Sequence, residues 1–253
     1  MEKQNDYKIY GVAPVLEILK AGQRSIEQIT VAEGASSPRL RELLELAKQN
    51  GVIVNRVPKS AFARFVEQGA NHQGVIAVLS AANYADADEL LVEITQKVGT
   101  NQPPLIVVLD GVEDPRNLGA IARTAECAGA DGIFLPERRA VGLTESVAKA
   151  AAGALEYIQV AKVTNLNRLI EDLKKRGIWT IGTDMNAKMS YTEWDWKQPS
   201  AIILGGEGKG LHRLVAENCD ALVKIPLFGK IESLNVSVAA GILLYEAKRQ
   251  RKF

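Results

Sequence analysis

The chain has 253 residues, 47% of them hydrophobic and 24% charged, which is the composition of an ordinary globular protein with one large domain or two modest ones. A formal net charge of +1 offers no global attraction to nucleic acid, so any such contact must rest on local patches. The two cysteines, Cys127 and Cys219, lack metal-ligand spacing, no signal peptide opens the chain, and no apolar run approaches the ~20 residues of a membrane span. A reducing cytoplasm is the expected location.

Residues 1–83 are expected to form a first, small α/β domain. Val12–Leu19 carries Val12, Val15, Leu16 and Leu19 on one helical face, with Gly22 placed to stop it. Ile26–Ala32 alternates like a strand. Pro38–Asn50 has Leu40, Leu43, Leu44 and Ala47 at helical spacing, ends at Gly51 and precedes the β-branched run Val52–Val57. Ser60–Gln68 reads as a short helix and Val75–Leu79 as an apolar strand. Residues 84–104 differ in character: an acidic, helix-like piece with Asp86, Asp88, Glu89 and Glu93 runs into Pro103–Pro104, as expected of a linker.

From residue 105 to 253 apolar strands alternate with helices. The expected strands are Leu105–Leu109, Gly132–Leu135, Ile178–Thr183, Ala201–Leu204 and Ala221–Ile225. The expected helices are Asn117–Ala128, Ser146–Gly153, Leu166–Arg176, Leu211–Asn218 and Val236–Arg249. Short β-branched strands between helices indicate an α/β fold with a parallel sheet covered on both faces, whose ligands bind beyond the carboxyl ends of the strands. The loops after Leu109, Leu204 and Ile225 are therefore the informative ones.

In the first of these loops Asn117 is a suitable cap for the helix that follows. Arg123, four residues beyond Gly119, can lie over that bare position and reach toward the helix start, an arrangement suited to a phosphate. A structural cap with a solvated arginine is the plainer reading. The second loop, Leu204–Leu211, holds Gly205, Gly206, Glu207 and Gly208. It fails the P-loop pattern, because Gly210 follows Lys209, and the dinucleotide fingerprint, because Leu211 takes the third glycine position. The third runs from Ile225–Pro226–Leu227 through Gly229 to Ser233–Leu234–Asn235, where Ser233 or Asn235 can cap the last helix. Among the remaining polar and aromatic residues, the basic tail Lys248–Lys252 reads as a solvated face or an RNA contact, His72 as an RNA contact or a loop hydrogen-bonding group, and His212 as part of a helix start. Trp179, Trp194 and Trp196 read as core residues.

Taken in this order, Asn117-x-Gly-x-x-x-Arg123, Gly-Gly-Glu-Gly-x-Gly-Leu and Ile-Pro-Leu-x-Gly-x-x-x-Ser-Leu-Asn-Val-Ser resemble the three motifs of the SpoU (TrmH-type, SPOUT) family of RNA 2′-O-ribose methyltransferases over residues 105–253. Tyr10–Gly11, Pro14–Glu17 and Asn71–Val75 resemble the N-terminal substrate-binding domain of its 23S rRNA guanosine branch. Ala13 departs from the polar residue common there.

The resemblance implies a C-terminal parallel-sheet domain with a deep trefoil knot, a ribosomal-protein-like RNA-binding domain at residues 1–83, and a homodimer. It implies S-adenosyl-L-methionine as methyl donor, leaving S-adenosylhomocysteine, with no metal. By the same likeness Asn117, Arg123, Glu207, Ser233 and Asn235 are the expected catalytic residues, and Leu204, Gly205, Gly206, Glu207, Gly208, Ile225, Pro226, Leu227, Ser233 and Leu234 the expected cofactor residues. The expected substrate is a guanosine of 23S rRNA, free or in a pre-ribosomal particle. Alternatives are tRNA, an rRNA adenosine, or a non-catalytic ribosome-assembly factor; a metabolic nucleotide-binding enzyme is disfavoured by the failed phosphate motifs.

Overall fold

The computed structural model describes residues 7–21, 26–62, 72–79, 84–138, 140–208 and 210–251. In chain order the elements are β1 (Tyr7–Tyr10), α1 (Val12–Ala21), β2 (Ile26–Ala32), α2 (Pro38–Gln49), β3 (Ile53–Val57), α3 (Lys59–Phe62), β4 (Val75–Leu79), α4 (Ala87–Thr95), β5 (Leu105–Asp110), α5 (Pro115–Cys127) and β6 (Gly132–Pro136). They continue with α6 (Glu145–Ala151), β7 (Val160–Val163), α7 (Leu166–Lys175), β8 (Trp179–Thr183), β9 (Met189–Ser190), β10 (Ser200–Gly205), α8 (Arg213–Asn218), β11 (Ala221–Lys224) and α9 (Val236–Arg251). The expected stop at Gly22, most of the expected helix Ser60–Gln68, and Asn71, Lys209 and Lys252 lie outside the described residues.

The chain divides into two compact units, Met1–Asn83 with Leu143–Tyr157, and Tyr84–Gly142 with Ile158–Phe253. The first is a four-stranded mixed sheet in the order β1-β4-β2-β3, with β2 and β3 parallel and the other pairs antiparallel. Val15, Ile18, Ile29, Leu43 and Ala47 are fully buried between its helices and sheet, each larger side chain contributing about 1.5–3 kcal/mol. Helix α2 starts on Ser37, whose hydroxyl accepts the Leu40 N–H at 3.1 Å, with Pro38 preset for the first helical turn. His72 is a loop-bracing group here: its Nδ1 accepts the Gly74 N–H at 2.9 Å while its ring packs on Phe62.

The structure departs from the expected domain limits at two places. Residues 84–104 are no free linker: Leu90, Leu91 and Ile94 of α4 are buried in the core of the second unit, and the Ala85 N–H bonds the Val160 carbonyl at the sheet edge. Residues 143–157 group with the first unit, where Ala148 joins the core, the Lys149 ammonium lies 5.2 Å from the Tyr10 ring centroid and the Tyr157 hydroxyl bonds Glu17. In both places an apolar face at helical spacing finds a partner that composition alone does not reveal.

The second unit is a seven-stranded parallel sheet in the order β7-β6-β5-β10-β8-β11-β9. All six residues of β5 are buried, as a central parallel strand with both faces covered requires. Strands β6 and β7 extend to one side of β5, and β10, β8, β11 and β9 to the other. The switch point thus falls between β5 and β10, where ligands of such sheets bind.

Two surface expectations change. Trp196 is fully buried and donates its indole N–H to the Tyr191 carbonyl, but Trp179 is 46% exposed and stacks edge-on against Trp194. The basic end of α9 is committed to the fold. Arg251 donates to the carbonyls of Trp196, Pro103, Pro104 and Gln198 at 2.6–3.0 Å. Arg249 makes a two-point ion pair with the buried Glu246, and Gln250 joins Glu246 to the Trp194 carbonyl and the Trp196 N–H. Arg251→Ala should therefore lower Tm by roughly 5–10 °C in a thermal melt, from about 2–3 kcal/mol of lost charged hydrogen bonds; an unchanged Tm would refute the lock.

Hydrogen bonding to Arg249 holds the Glu246 carboxyl below the ordinary carboxylate range. A depressed folded pKa contributes stability that is complete above the unfolded value and lost as pH falls through the folded one. The Tm advantage of wild type over Glu246→Gln at pH 7 should shrink as melts are repeated toward pH 3, and a gap independent of pH would contradict this.

Candidate active site

Pairing of β10 with β5 sets Leu204 opposite Leu109 and Gly205 opposite Asp110, so the loops that follow the two strands leave the sheet side by side. They touch through glycine. A Cβ on Gly206 would strike the Gly111 carbonyl, and one on Gly205 would strike the backbone of Gly210 and Leu211. The Gly206 N–H bonds the Asp110 carbonyl at 2.8 Å, and the Gly210 N–H bonds the Gly206 carbonyl at 3.1 Å, closing the loop into a compact turn. Glu207 sits on that turn.

Helix α5 begins earlier than expected. Its cap is Asp114, whose carboxylate accepts the Arg116 N–H at 2.7 Å, and Pro115 occupies the first helical position. Asn117 therefore lies inside the first turn, 6% exposed, and its side chain is released from capping duty. At the other end of the site Asn235 does cap α9: its Oδ1 accepts the Ser237 N–H at 2.9 Å and the Ser237 hydroxyl at 2.6 Å.

That cap orients a polar centre. A backbone N–H can only donate, so the Asn235 amide must present its oxygen to Ser237 and its NH2 inward. The NH2 donates to Asn117 Oδ1 and to Glu207 Oε1, both at 2.9 Å. With its oxygen so occupied, Asn117 turns its own NH2 to Glu207 Oε1 at 2.8 Å. One carboxylate oxygen thus accepts two amide donors, from residues separated from it by 90 and 28 positions, while Oε2, on an exposed side chain, takes no bond from another described residue. Such a centre can position a hydroxyl or an amino group by accepting from it.

Of the five expected catalytic residues, the structure brings Asn117, Glu207 and Asn235 together. Ser233 is exposed and joins none of them. Arg123 is exposed on α5 and, among the described residues, forms no hydrogen bond or ion pair. Helical spacing puts it about 120° around α5 from Asn117, so it does not converge on the helix start as the sequence suggests. Gly119 beneath it is buried.

The expected cofactor residues lie on two loops, one after β10 and one after β11. Leu204 is buried at the end of β10; Gly205 and Gly206 are half-buried; Glu207 and Gly208 are exposed. From Ile225 to Leu234 no main-chain group bonds another described residue, and Leu227 and Leu234 are each more than a third exposed. Uncommitted amides and carbonyls beside apolar side chains are a donor and acceptor set that fits a purine edge, with apolar cover for its face. Sequence reasoning assigned no role to Asp110 and read Ser237 only as a small residue suited to close helix packing. Asp110, at the end of a fully buried strand, bonds both the main-chain N–H and the ring Nδ1 of His212, at 2.7 and 2.8 Å. A carboxylate placed just after an apolar strand was the available signal.

Comparison with known proteins agrees with this architecture. The model of the SpoU rRNA methylase family matches residues 104–245, and that of the RNA 2′-O ribose methyltransferase substrate-binding domain matches residues 8–85. YacO of Bacillus subtilis strain 168, named for the TrmH family of tRNA/rRNA methyltransferases, is 46% identical over 99% of this chain and 98% of its own. The 23S rRNA (guanosine-2′-O-)-methyltransferase RlmB of Pseudomonas putida is 44% identical over 97% of each. The AdoMet-bound rRNA methyltransferase of Sinorhizobium meliloti superposes with a TM-score of 0.78 at 26% identity, covering 98% of this chain and 88% of that one. The chain belongs to the SpoU family of RNA 2′-O-ribose methyltransferases, and its α/β fold is that family's.

The polar centre makes one unusual demand. Asp is normally as good a helix cap as Asn. Here Asn235→Asp would keep the cap but lose both inward donors and face the Glu207 carboxylate. At pH 7 it should lower Tm more than Asn235→Ala does; the opposite order in thermal melts would contradict the amide orientation.

Proposed function

We propose that this chain transfers the methyl group of S-adenosyl-L-methionine to the ribose 2′-hydroxyl of a guanosine in 23S rRNA, releasing S-adenosylhomocysteine. The observation that carries the reading is the Asn117–Glu207–Asn235 centre, open at one carboxylate oxygen beside the uncommitted main chain of Ile225–Leu234. Bound there, the cofactor supplies an electrophilic methyl group. Main-chain groups of Leu204, Gly205, Gly206, Glu207, Gly208, Ile225, Pro226, Leu227, Ser233 and Leu234 hold it, with apolar cover from Ile225, Leu227 and Leu234.

In-line transfer needs a positioned hydroxyl and a destination for its proton. Glu207 Oε2 and Ser233 orient the ribose, while Asn117 and Asn235 hold Glu207. A guanidinium in a protein keeps its proton, so Arg123 is no base; it holds the phosphate beside the target ribose, and that phosphate accepts the proton, or it stabilises the oxygen's developing charge. An exposed arginine that forms no hydrogen bond or ion pair among the described residues is suited to that duty.

A homodimer belongs to the same reading. Phe228 and Ile231 are 97% and 78% exposed and Val238 and Tyr245 of α9 about half exposed, apolar side chains that a second copy would cover. The C-terminal trefoil knot does too, since the chain after β11 turns back to place Asn235 against Asn117, 118 residues earlier. The first unit selects the RNA. The P. putida relative favours 23S guanosine over tRNA or an rRNA adenosine, and a cytoplasmic site of action follows from that substrate.

The test is a map of 2′-O-methyl sites in rRNA from cells lacking this protein. One 23S guanosine should lose its methyl group and regain it with wild type. Arg123→Ala should lower turnover at least ~100-fold while cofactor binding by calorimetry persists. Near-normal rescue by that variant would refute the role of Arg123, and loss at a tRNA nucleotide would reassign the substrate.

A further inference from the structure

Asp110 holds both ends of the loop that carries Glu207. Its main-chain carbonyl takes the Gly206 N–H at 2.8 Å, on the entering side. Its carboxylate takes residue 212 twice on the leaving side, Oδ2 from the main-chain N–H at 2.7 Å and Oδ1 with the ring Nδ1 at 2.8 Å. The Asp110 side chain is only 5% exposed, so a carboxylate there is sustained by those bonds. A carboxylate accepts only, which places the ring proton on Nδ1 in this contact.

The loop between the anchors needs them. Gly205, Gly206, Gly208 and Gly210 give it the most conformational freedom a backbone can have, and Gly208 and Gly210 adopt φ of +75° and +64°. Among the described residues, the bonds that restrain Glu207 and its loop are these ends, the Gly210–Gly206 turn and the two asparagines. His212 caps α8 without a side-chain capping bond, its ring being turned to Asp110 instead.

We propose that Asp110 and His212 are positioning residues that act through Glu207: the imidazole–carboxylate clasp fixes the glycine loop so that Oε2 stands where the hydroxyl arrives. This rests on the methyl-transfer reading, to which it adds two residues. The clasp needs a nitrogen donor at the δ position only, so an asparagine, whose Nδ2 falls where Nδ1 lies, replaces histidine.

The experiment compares His212→Ala and His212→Asn, each with and without Glu207→Ala, in methyl transfer to rRNA and in amide hydrogen exchange of the 204–212 segment. His212→Ala should lower kcat about tenfold with KM for RNA within about twofold, and His212→Asn should restore most of it. In the Glu207→Ala background His212→Ala should cost nothing further. An asparagine variant as impaired as the alanine one, or additive losses, would overturn the proposal. Wild type inert on every RNA would sink the methyl-transfer reading alone. Exchange then decides the clasp: faster in the alanine variant and not in the asparagine variant supports it, equal rates in all three refute it.

Discussion

The site depends on β10 lying between β5 and β8. That parallel pairing sets Gly205 beside Asp110 and carries Glu207 to within hydrogen-bonding reach of an asparagine 90 residues earlier. Glycine makes the approach possible, because a single methyl group at Gly206 would strike the Gly111 carbonyl. Once the loops are docked, one backbone N–H, that of Ser237, decides the orientation of every amide in the centre. The direction of each donor then follows by elimination, and the remaining carboxylate oxygen is left facing outward. Fold and chemistry are joined at that point.

Much of this was legible in the chain. Strand and helix patterning placed the strands it foresaw within a residue or two, β1 not being among them, and the three loops were singled out because parallel sheets bind beyond their strand ends. The resemblance supplied the roles of residues that pattern leaves ambiguous. What escaped has physical reasons. Asn117 looked like a helix cap because it precedes an apolar face, yet Asp114–Pro115 is the stronger start and frees Asn117 for the centre. Strand β7, with four residues, and β9, with two, are too short to show a period. The stretch 84–104 reads as linker by charge, but α4 needs only Leu90, Leu91 and Ile94 to join a core. The basic tail read as a solvated face or an RNA contact, whereas Arg251 spends its donors on four carbonyls of its own fold.

Arg123 is the instructive remainder. It stands in the expected motif, yet among the described residues it makes no hydrogen bond or ion pair, and it lies about 120° around α5 from Asn117. Its uncommitted guanidinium marks the account's division of labour: main chain and apolar cover for the cofactor, the amide–carboxylate centre for the ribose, and an open cation for phosphate.

That division predicts where the methyl group goes, and alkali reads it directly. A 2′-O-methyl group protects the adjacent phosphodiester bond from hydroxide, since the attacking oxygen is blocked. When 23S rRNA is incubated with the purified protein and S-adenosylmethionine labelled in its methyl group, then hydrolysed in alkali, the label should appear in resistant dinucleotides with guanosine on the 5′ side. Label recovered in ordinary mononucleotides would mean methylation of a base, and would contradict the account.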